Sequence, residues 1–371
     1  MGNTIYIGMD VHKDSYSLCC YCFDRDKVEY QQTIHADYRL VLKYIERMRK
    51  NYGSDSEFVC GYEAGCLGYS LYHQLTDHAI NCIILAPTTM AVTNTNRVKT
   101  DRKDAANIAR CLAFHTYSAV YVPDEEDNAV KEYLRMRDDQ KLALKKVKQQ
   151  ITAFVLRLGK RYDGGKTLWT ENHLNWLREL DLTELEREAL DEYLITFYYL
   201  KDKLERIDMR IEEIARSERY QEAVGRLGCL LGIKSHTALS LISEIGDFRR
   251  FEKASCFAGF LGLVPGEDSS GGSRTRLSIT KAGNSHLRRL IIESAQSYSR
   301  GEVGYKSKDL KKRQAGNLPE VIAYADRANE RLRRKFYRMT LKNDINRNVA
   351  VTAVARELSC FIWGLMTDKV A

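Results

Sequence analysis

The chain has 371 residues, of which 44% are hydrophobic and 29% are charged, and its formal net charge is +8. This length allows two or three domains with sizeable cores and excludes a minimal binding module. No apolar run reaches the length of a membrane span and the opening residues do not resemble a signal peptide, so we expect a cytoplasmic protein. The closest cysteines, Cys19, Cys20 and Cys22, alternate between the faces of a predicted strand. We therefore predict neither zinc nor disulfides.

Residues 4 to about 115 alternate strand and helix patterns. The predicted strands lie near 4–10, 15–23, 27–33, 57–62 and 81–85, and the predicted helices near 37–52, 66–77 and 101–115. Three opening strands with short polar turns predict an antiparallel meander, which later strand–helix units extend in parallel. This order is typical of an RNase H-like sheet, although a fold alone does not determine a function.

Two helical regions follow, and the predicted domains are 1–120, 121–219 and 220–371. In the second domain, apolar residues at helical spacing in 130–158 and 182–214 predict an antiparallel hairpin or coiled coil, either a spacer or a dimerisation arm. The third domain is predicted to be mainly helical. Its segment Leu230 to Asp247 resembles a helix-hairpin-helix, which can present backbone N–H groups to a DNA phosphate or can simply be a packed helical pair.

Carboxylates stand where divalent-metal phosphodiester chemistry needs them. Asp10 and Glu63 each end a predicted buried strand, and Asp101 and Asp104 share one face at the start of a predicted helix. Magnesium prefers oxygen ligands and is usually held by a few carboxylates plus substrate phosphates. Together the four acids predict a nuclease or strand-transfer site with Mg²⁺, which could hold two ions about 4 Å apart. Singly, each acid is more often a helix cap or a surface charge.

Basic residues cluster beside these acids and elsewhere, which favours a nucleic-acid partner over solvated helix faces. Lys99, Arg102 and Lys103 fit a role in binding the nucleic-acid backbone, or they balance the acids.

A glycine-rich loop at 266–272 contains Ser269 and Ser270 and is followed by Arg274, Arg276 and Lys281. Basic side chains or a nearby metal can activate a serine hydroxyl for attack on a bound phosphate. Loops of this composition are, however, usually only turns.

These motifs, in this order, resemble the DEDD transposases of the insertion-sequence-110 family, the group that includes bridge-RNA-guided recombinases. The matching segments cover nearly the whole chain and are Gly8 to Lys13, Glu63-Ala64, Lys99 to Ala105, Gly262 to Pro265, Ser269 to Gly272, Ile279 to Asn284, Leu287 to Arg289, Val349 to Val351 and Ala355 to Leu358. In the family, the residues that follow this glutamate more commonly contain threonine and glycine. The run Ala64-Gly65-Cys66 departs from that pattern, but the carboxylate of Glu63 is intact.

The resemblance implies a RuvC-like N-terminal domain with a magnesium site at Asp10, Glu63, Asp101 and Asp104, a coiled-coil bridge and a C-terminal transposase domain. It also implies a serine that attacks DNA and forms a covalent phosphoserine. The serine directly before the glycine fits the family pattern, which selects Ser270, with Ser269 as a substitute. Arg274, Arg276, Lys281 and Arg288 are then expected to bind nucleic acid.

The expected partners are donor and target DNA, a noncoding guide RNA and further copies of the chain, as dimers that assemble into tetramers. The expected location is a prokaryotic cytoplasm, at the nucleoid when DNA is bound. Two alternatives remain from the residues. One is a RuvC-like endonuclease that cuts branched DNA with water as the nucleophile, and the other is a noncatalytic nucleic-acid-binding scaffold.

Overall fold

The protein is seen in a computed structural model that describes residues 4–53, 55–65, 67–90, 100–270 and 273–370. The chain divides into two compact units, one ending at Val122 and the other beginning at Pro123.

The N-terminal unit is a five-stranded sheet with helices on both faces. Its elements are β1 (Thr4–Val11), β2 (Ser15–Cys22), β3 (Lys27–His35), α1 (Tyr38–Tyr52), β4 (Glu57–Glu63), α2 (Ser70–Thr76), β5 (Asn81–Leu85) and α3 (Asp101–Ala113). The strand order is β3-β2-β1-β4-β5, antiparallel from β3 to β1 and parallel from β1 to β5. The predicted meander with parallel extensions is confirmed, and the order is consistent with an RNase H-like fold.

Successive side chains of β1 face opposite sides of this sheet. Ile5, Ile7 and Met9 are fully buried and pack with residues of α1 and α2. Gly8 lies on the opposite face, against α3. Because side chains of a strand alternate, Asp10 lies on the same face as Gly8, which is the side of α3.

The second unit begins with an arm of two long antiparallel helices. Its elements are α4 (Glu125–Arg157), α5 (Glu171–Arg178) and α6 (Glu184–Ala215). Val130 near the start of α4 packs in one cluster with Ala215 at the end of α6, and Val155 near the end of α4 packs with Leu190 near the start of α6. The two predicted long helices are confirmed, and the order of these contacts makes the pair antiparallel.

The rest of the second unit surrounds the largest core of the molecule. Its elements are α7 (Gln221–Gly228), α8 (Ser235–Ile245), α9 (Ala254–Phe260), β6 (Pro265–Ser270), β7 (Ser273–Ile279), α10 (Ser285–Ala295), α11 (Lys308–Gln314), α12 (Pro319–Tyr337) and α13 (Arg347–Met366), with a π-helical turn at Arg338–Lys342. The described part of the predicted glycine-rich loop, 266–270, is strand, because β6 continues to Ser270 and pairs with β7. The β-forming residues Leu277 and Ile279 on β7 favour this pairing.

Helix α13 is long and apolar enough to cross a membrane by length and composition, with a mean hydropathy of 1.5. The expectation concerned unbroken apolar runs, and the charged residues Arg356 and Glu357 interrupt the apolar sequence of α13. The apolar residues of α13 pack into the core of the second unit, where Val354, Leu358 and Ile362 are fully buried. This burial is typical of a core helix in a globular domain.

Candidate metal centre and serine hairpin

Two of the predicted acids stand at the same edge of the sheet. Met9 on β1 pairs with Tyr62 on the parallel strand β4, so the next residues, Asp10 and Glu63, lie at the carboxyl ends of neighbouring strands. The side chain of Asp10 is only 16% exposed, whereas Glu63 is exposed. The register of two parallel strands thus places one half-buried and one open carboxylate side by side.

Two glycines allow α3 to lie directly on this part of the sheet. A Cβ atom at Gly8 would lie 2.0 Å from the carbonyl oxygen of Ala105, and a Cβ atom at Gly61 would lie 2.9 Å from the methyl carbons of Leu112. Each glycine precedes one of the strand-end acids by two residues and therefore shares its face. Any side chain at Gly8 would push α3 and its acidic first turn away from Asp10.

Asp10 and Asp101 form a compact group with a third residue, His12. One ligand atom from each of the three residues lies within 4.8 Å of the others. The Nε2 atom of His12 lies 3.2 Å from an oxygen of Asp10 and 3.8 Å from an oxygen of Asp101. Sequence reasoning gave His12 no role, although the Asp-x-His spacing at the end of a strand places both side chains on one face.

The electrostatics of Asp10 fit a cation site. Burial raises the pKa of Asp10, His12 lowers it, and the negative charges of Asp101 and Asp104 raise it further. The net pKa is above the ordinary value, so the ionised acids destabilise one another and a bound cation would relieve this. Carboxylate oxygens suit magnesium and manganese, and an imidazole nitrogen suits transition ions such as Fe²⁺, Ni²⁺ and Zn²⁺. The donor set therefore fits a divalent cation.

Glu63 and Asp104 stand outside the compact group that the described residues form. Glu63 ends the neighbouring strand, and Asp104 is half-buried in the first turn of α3, close enough to Asp10 to raise its pKa. Their roles as metal ligands remain predictions.

The predicted nucleophiles lie at the end of a β-hairpin. Ser269 pairs with Arg274, and Ser270, the last residue of β6, pairs with Ser273, the first residue of β7. Gly271 and Gly272, between them, lie outside the described residues. The hairpin thus holds the backbone of the two serines beside that of a predicted nucleic-acid-binding arginine.

A close main-chain contact fixes the root of this hairpin. Thr280 N donates to the Val264 carbonyl at 2.9 Å, and Asn284 N donates to the Phe260 carbonyl at 3.1 Å. Gly283, with a positive φ of 78°, approaches so closely that a Cβ atom would lie 2.0 Å from the Phe260 oxygen. The segments before and after the hairpin are thus joined through their backbones.

A second acidic cluster, which the sequence did not predict, connects α4, α8 and the start of α10. His286 places Nε2 at 3.0 Å from Asp138 and Nδ1 at 2.7 Å from Glu244. Arg289 also pairs with Asp138, and Asn284 donates to Glu244. Because Asn284 caps α10 directly after the hairpin root, this cluster anchors that root to the arm helix α4.

Burial would raise the pKa of Asp138, but the neighbouring histidines and Arg289 hold it well below the ordinary value. Burial would likewise raise the pKa of Glu244, but His286 and Asn284 hold it low. His286 donates to two carboxylates, which overcomes its own burial and raises its pKa to about 9. These acids are neutralised by the side chains of the protein itself.

The predicted nucleic-acid-binding residues fall into distinct settings. Arg102 and Lys103 are exposed in the first turn of α3, and Lys281 is exposed at the hairpin root. The Nη1 atom of Arg288 donates to the carbonyl of Leu261 at 3.0 Å, so this arginine also holds the hairpin root. Arg274 and Arg276 lie on β7, and Lys99 lies outside the described residues. Nucleic-acid contact by each of the seven remains a prediction.

An α/β sheet with an acidic group at its edge is consistent with an RNase H-like, metal-binding class of protein, and sequence comparisons identify the family. A family model described as a transposase matches residues 7–159, and one described as "Transposase IS116/IS110/IS902 family" matches residues 226–312.

Two relatives extend this similarity over nearly the whole chain. The transposase for insertion sequence element IS1533 of Leptospira borgpetersenii is 31% identical over 339 residues, which cover 91% of this chain and 96% of the relative. A putative transposase, y4qE, of Sinorhizobium fredii is 32% identical over 365 residues, 98% of this chain and 88% of the relative. The chain belongs to the IS110 family of insertion-sequence transposases, and it is a DNA transposase.

Proposed function

We propose that this transposase cleaves and exchanges DNA strands of an insertion sequence with a RuvC-like acidic site and a serine nucleophile. The single observation that carries the proposal is the grouping of Asp10, His12 and Asp101 at the sheet edge, with ligand atoms within 4.8 Å of one another. Carboxylates gathered from a strand end and a helix start are the arrangement that divalent-metal phosphodiester chemistry uses.

Asp10, Glu63, Asp101 and Asp104 would hold Mg²⁺, which supplies charge stabilisation to the oxygens of the reacting phosphate. Asp10 is far less exposed than Asp101, and the rigid strand beneath it fixes its position. Asp101 and Asp104 approach from α3 because Gly8 leaves room for that helix. The exposed Arg102 and Lys103 would bind the phosphate backbone beside the acids.

Ser270 is the proposed nucleophile, with Ser269 as the alternative. Its hydroxyl oxygen would form a bond to the scissile phosphorus, while the bond from phosphorus to the departing DNA oxygen breaks. The serine proton is lost to a base or to solvent, and the departing oxygen takes up a proton. Arg274, Arg276 and Lys281 would hold the phosphate, and Arg288 would do so while keeping the hairpin root in place.

The proposed partners are donor and target DNA, a structured noncoding RNA that guides their recognition, and further copies of this chain as dimers and tetramers. Membership of the IS110 family supports these partners. The arm of α4 and α6 is proposed as the coiled-coil bridge between the metal-binding domain and the serine-bearing domain.

The test uses the full-length protein, Mg²⁺, its flanking noncoding RNA and junction DNA. We expect a denaturant-resistant protein–DNA adduct in wild type, its loss in Ser270→Ala, and its retention in Ser269→Ala. Asp10→Asn should slow strand cleavage about a thousandfold, which corresponds to about 4 kcal/mol, whereas the exposed control Asp24→Asn should not.

Two results would redirect the assignment. Cleavage without an adduct, unchanged in Ser270→Ala, would favour a RuvC-like endonuclease that uses water. Binding without cleavage in any divalent metal, unaffected by Asp10→Asn, would indicate a scaffold. A reaction without the RNA tests whether an RNA guides DNA recognition. Cleavage at the same site without RNA would contradict that proposal.

A further inference from the structure

The segment 300–306, between α10 and α11, presents apolar side chains to solvent. Tyr305 is 58% exposed and Val303 is 38% exposed. Gly301 and Gly304 have positive φ values of 77° and 79°, so the backbone turns in a way that most side chains would disfavour. An ordinary solvated loop would leave its carbonyls to water, but in this segment they are bound by side chains of a neighbouring helix.

One polar stripe of α12 holds this segment. Asp326, Asn329, Arg333 and Tyr337 are spaced so that they share one face of the helix. Tyr337 Oη donates to the Gly301 carbonyl at 2.6 Å, Arg333 donates to the Glu302 carbonyl, and Asn329 Nδ2 donates to the Tyr305 carbonyl at 3.2 Å. Asp326 accepts a hydrogen bond from Lys306 Nζ at 2.7 Å. Four residues of one helix thus fix the path of the segment.

Fixing this segment costs free energy, because it requires a buried guanidinium group. Arg333 is 3% exposed and burial lowers its pKa, yet among the described residues no carboxylate pairs with it. A Cβ atom at Gly301 would lie 2.8 Å from Arg333 Nη1, so the glycine is what allows the guanidinium to reach the backbone. A buried charge without a carboxylate partner is unfavourable. A function that requires Tyr305 to be held in its exposed position would account for this unfavourable burial of Arg333.

Exposed basic residues lie on both sides of Tyr305 along the chain. Arg300 is exposed at the start of the segment, and Lys308, Lys311 and Lys312 are exposed on α11. Lys306 has a different role, because its ammonium group is bound by Asp326 and, at 3.1 Å, by Gln314. An exposed aromatic ring with basic residues before and after it in sequence offers a stacking surface for a base and cations for the flanking phosphates.

We propose that Tyr305, Arg300, Lys308, Lys311 and Lys312 form a contact surface for single-stranded nucleic acid, here called the Tyr305 patch. An unpaired base stacks on Tyr305, and the lysines and Arg300 bind neighbouring phosphates. The unpaired segment belongs to a DNA strand opened during transposition, because the chain is a DNA transposase. The proposal rests on the chain being a DNA transposase and requires neither the acids nor the serine.

The test measures binding of the full-length protein to fluorescently labelled single-stranded DNA and RNA of one sequence, and to the corresponding DNA duplex, in EDTA. Tyr305→Ala should weaken binding to single-stranded DNA about tenfold, and Tyr305→Phe should bind like wild type. Tyr199→Ala is the matched control, because Tyr199 is also 58% exposed but lies on α6. Replacement of Lys308 and Lys312 by alanine should reduce the salt dependence of log Kd by about 1.4, or about 0.7 per lost phosphate contact.

A loss of affinity for the RNA strand alone would overturn the assignment of the surface to a DNA strand. Equal binding of single-stranded DNA by Tyr305→Ala and wild type would also overturn the proposal. So would an equal loss in Tyr199→Ala, or a loss confined to the duplex. Unchanged melting temperatures would show that the variants are folded, and EDTA keeps the result independent of the metal chemistry.

Discussion

The acidic group at the sheet edge and the acidic cluster of the helical unit differ in how their charge is neutralised. At the sheet edge, the pKa of Asp10 is raised by burial and by neighbouring acids, and its one described basic neighbour within the group is His12. In the helical unit, Asp138 and Glu244 are more deeply buried, yet their pKa values are lowered because His286 and other donors bind them. Carboxylates in the two clusters therefore have pKa values that are shifted in opposite directions.

This contrast distinguishes a site suited to an external cation from a cluster that only holds the fold together. We call that second cluster, Asp138, Glu244, His286 and Arg289, the structural joint. A buried carboxylate is stable when the protein supplies its counter-charge, and such a cluster needs no ligand. Acids that remain mutually repulsive are destabilising until a cation binds, which is the state expected of a metal site. The direction of the pKa shift is thus more informative than the number of acids.

The largest expected effect comes from removing a carboxylate of the structural joint. Asp138→Ala removes the buried carboxylate that the half-buried His286 and the partly exposed Arg289 share, and we expect a loss of about 3–5 kcal/mol in the free energy of unfolding. Chemical denaturation of the full chain measures it, with the exposed neighbour Asp139→Ala as the control. Mg²⁺ should not restore the loss, and restoration by metal would contradict the contrast between the clusters.

The next effect is the pH dependence of the same joint. The pKa of His286 is raised to about 9 from an ordinary 6.5, so its protonated form stabilises the fold. This stabilisation is complete below about pH 6.5 and is lost as the pH rises through 9. It amounts to about 3 kcal/mol. Stability curves between pH 6 and 10 should show this fall in wild type and a smaller one in His286→Gln. A flat wild-type curve would contradict the assigned charge.

The N-terminal sheet is predictable from the sequence because its signals are local. Alternating apolar runs define the five strands, and the ends of β1 and β4 place Asp10 and Glu63 at one edge. The start of α3 follows from Asp101 after a cap-like threonine. The main boundary difference is at α2, which is predicted from residue 66 and begins at Ser70.

The structural joint is not predictable from the sequence, because it depends on contacts between distant residues. Asp138, Glu244 and His286 lie on three helices, and no local pattern links them. The glycines and serines of segment 266–272 favour a loop, whereas its strand character depends on pairing with β7. His12 gains a role only because α3 brings Asp101 to it.

A smaller effect is expected from Gly8→Ala, which tests how α3 is placed. The added methyl group would overlap the Ala105 carbonyl, so the helix must shift, at a cost of about 1–3 kcal/mol in stability. Metal binding should weaken with it, because Asp101 moves with α3. Gly65→Ala is the control, since the nearest atom to its Cβ lies 3.9 Å away. Undiminished metal affinity in Gly8→Ala would contradict the role given to the close approach.

The smallest expected effect tests whether His12 belongs to the metal site or only bonds to Asp10. As a ligand, His12 should contribute more to Ni²⁺ binding than to Mg²⁺ binding, because an imidazole nitrogen suits Ni²⁺ and carboxylate oxygens suit Mg²⁺. His12→Ala should therefore weaken Ni²⁺ binding about tenfold, or about 1.4 kcal/mol, and Mg²⁺ binding less. Calorimetric titration of the full chain with each metal measures this, with the exposed His78→Ala as the control. Equal losses for both metals would instead mean that His12 only orients Asp10, since a carboxylate in the wrong position weakens either ion.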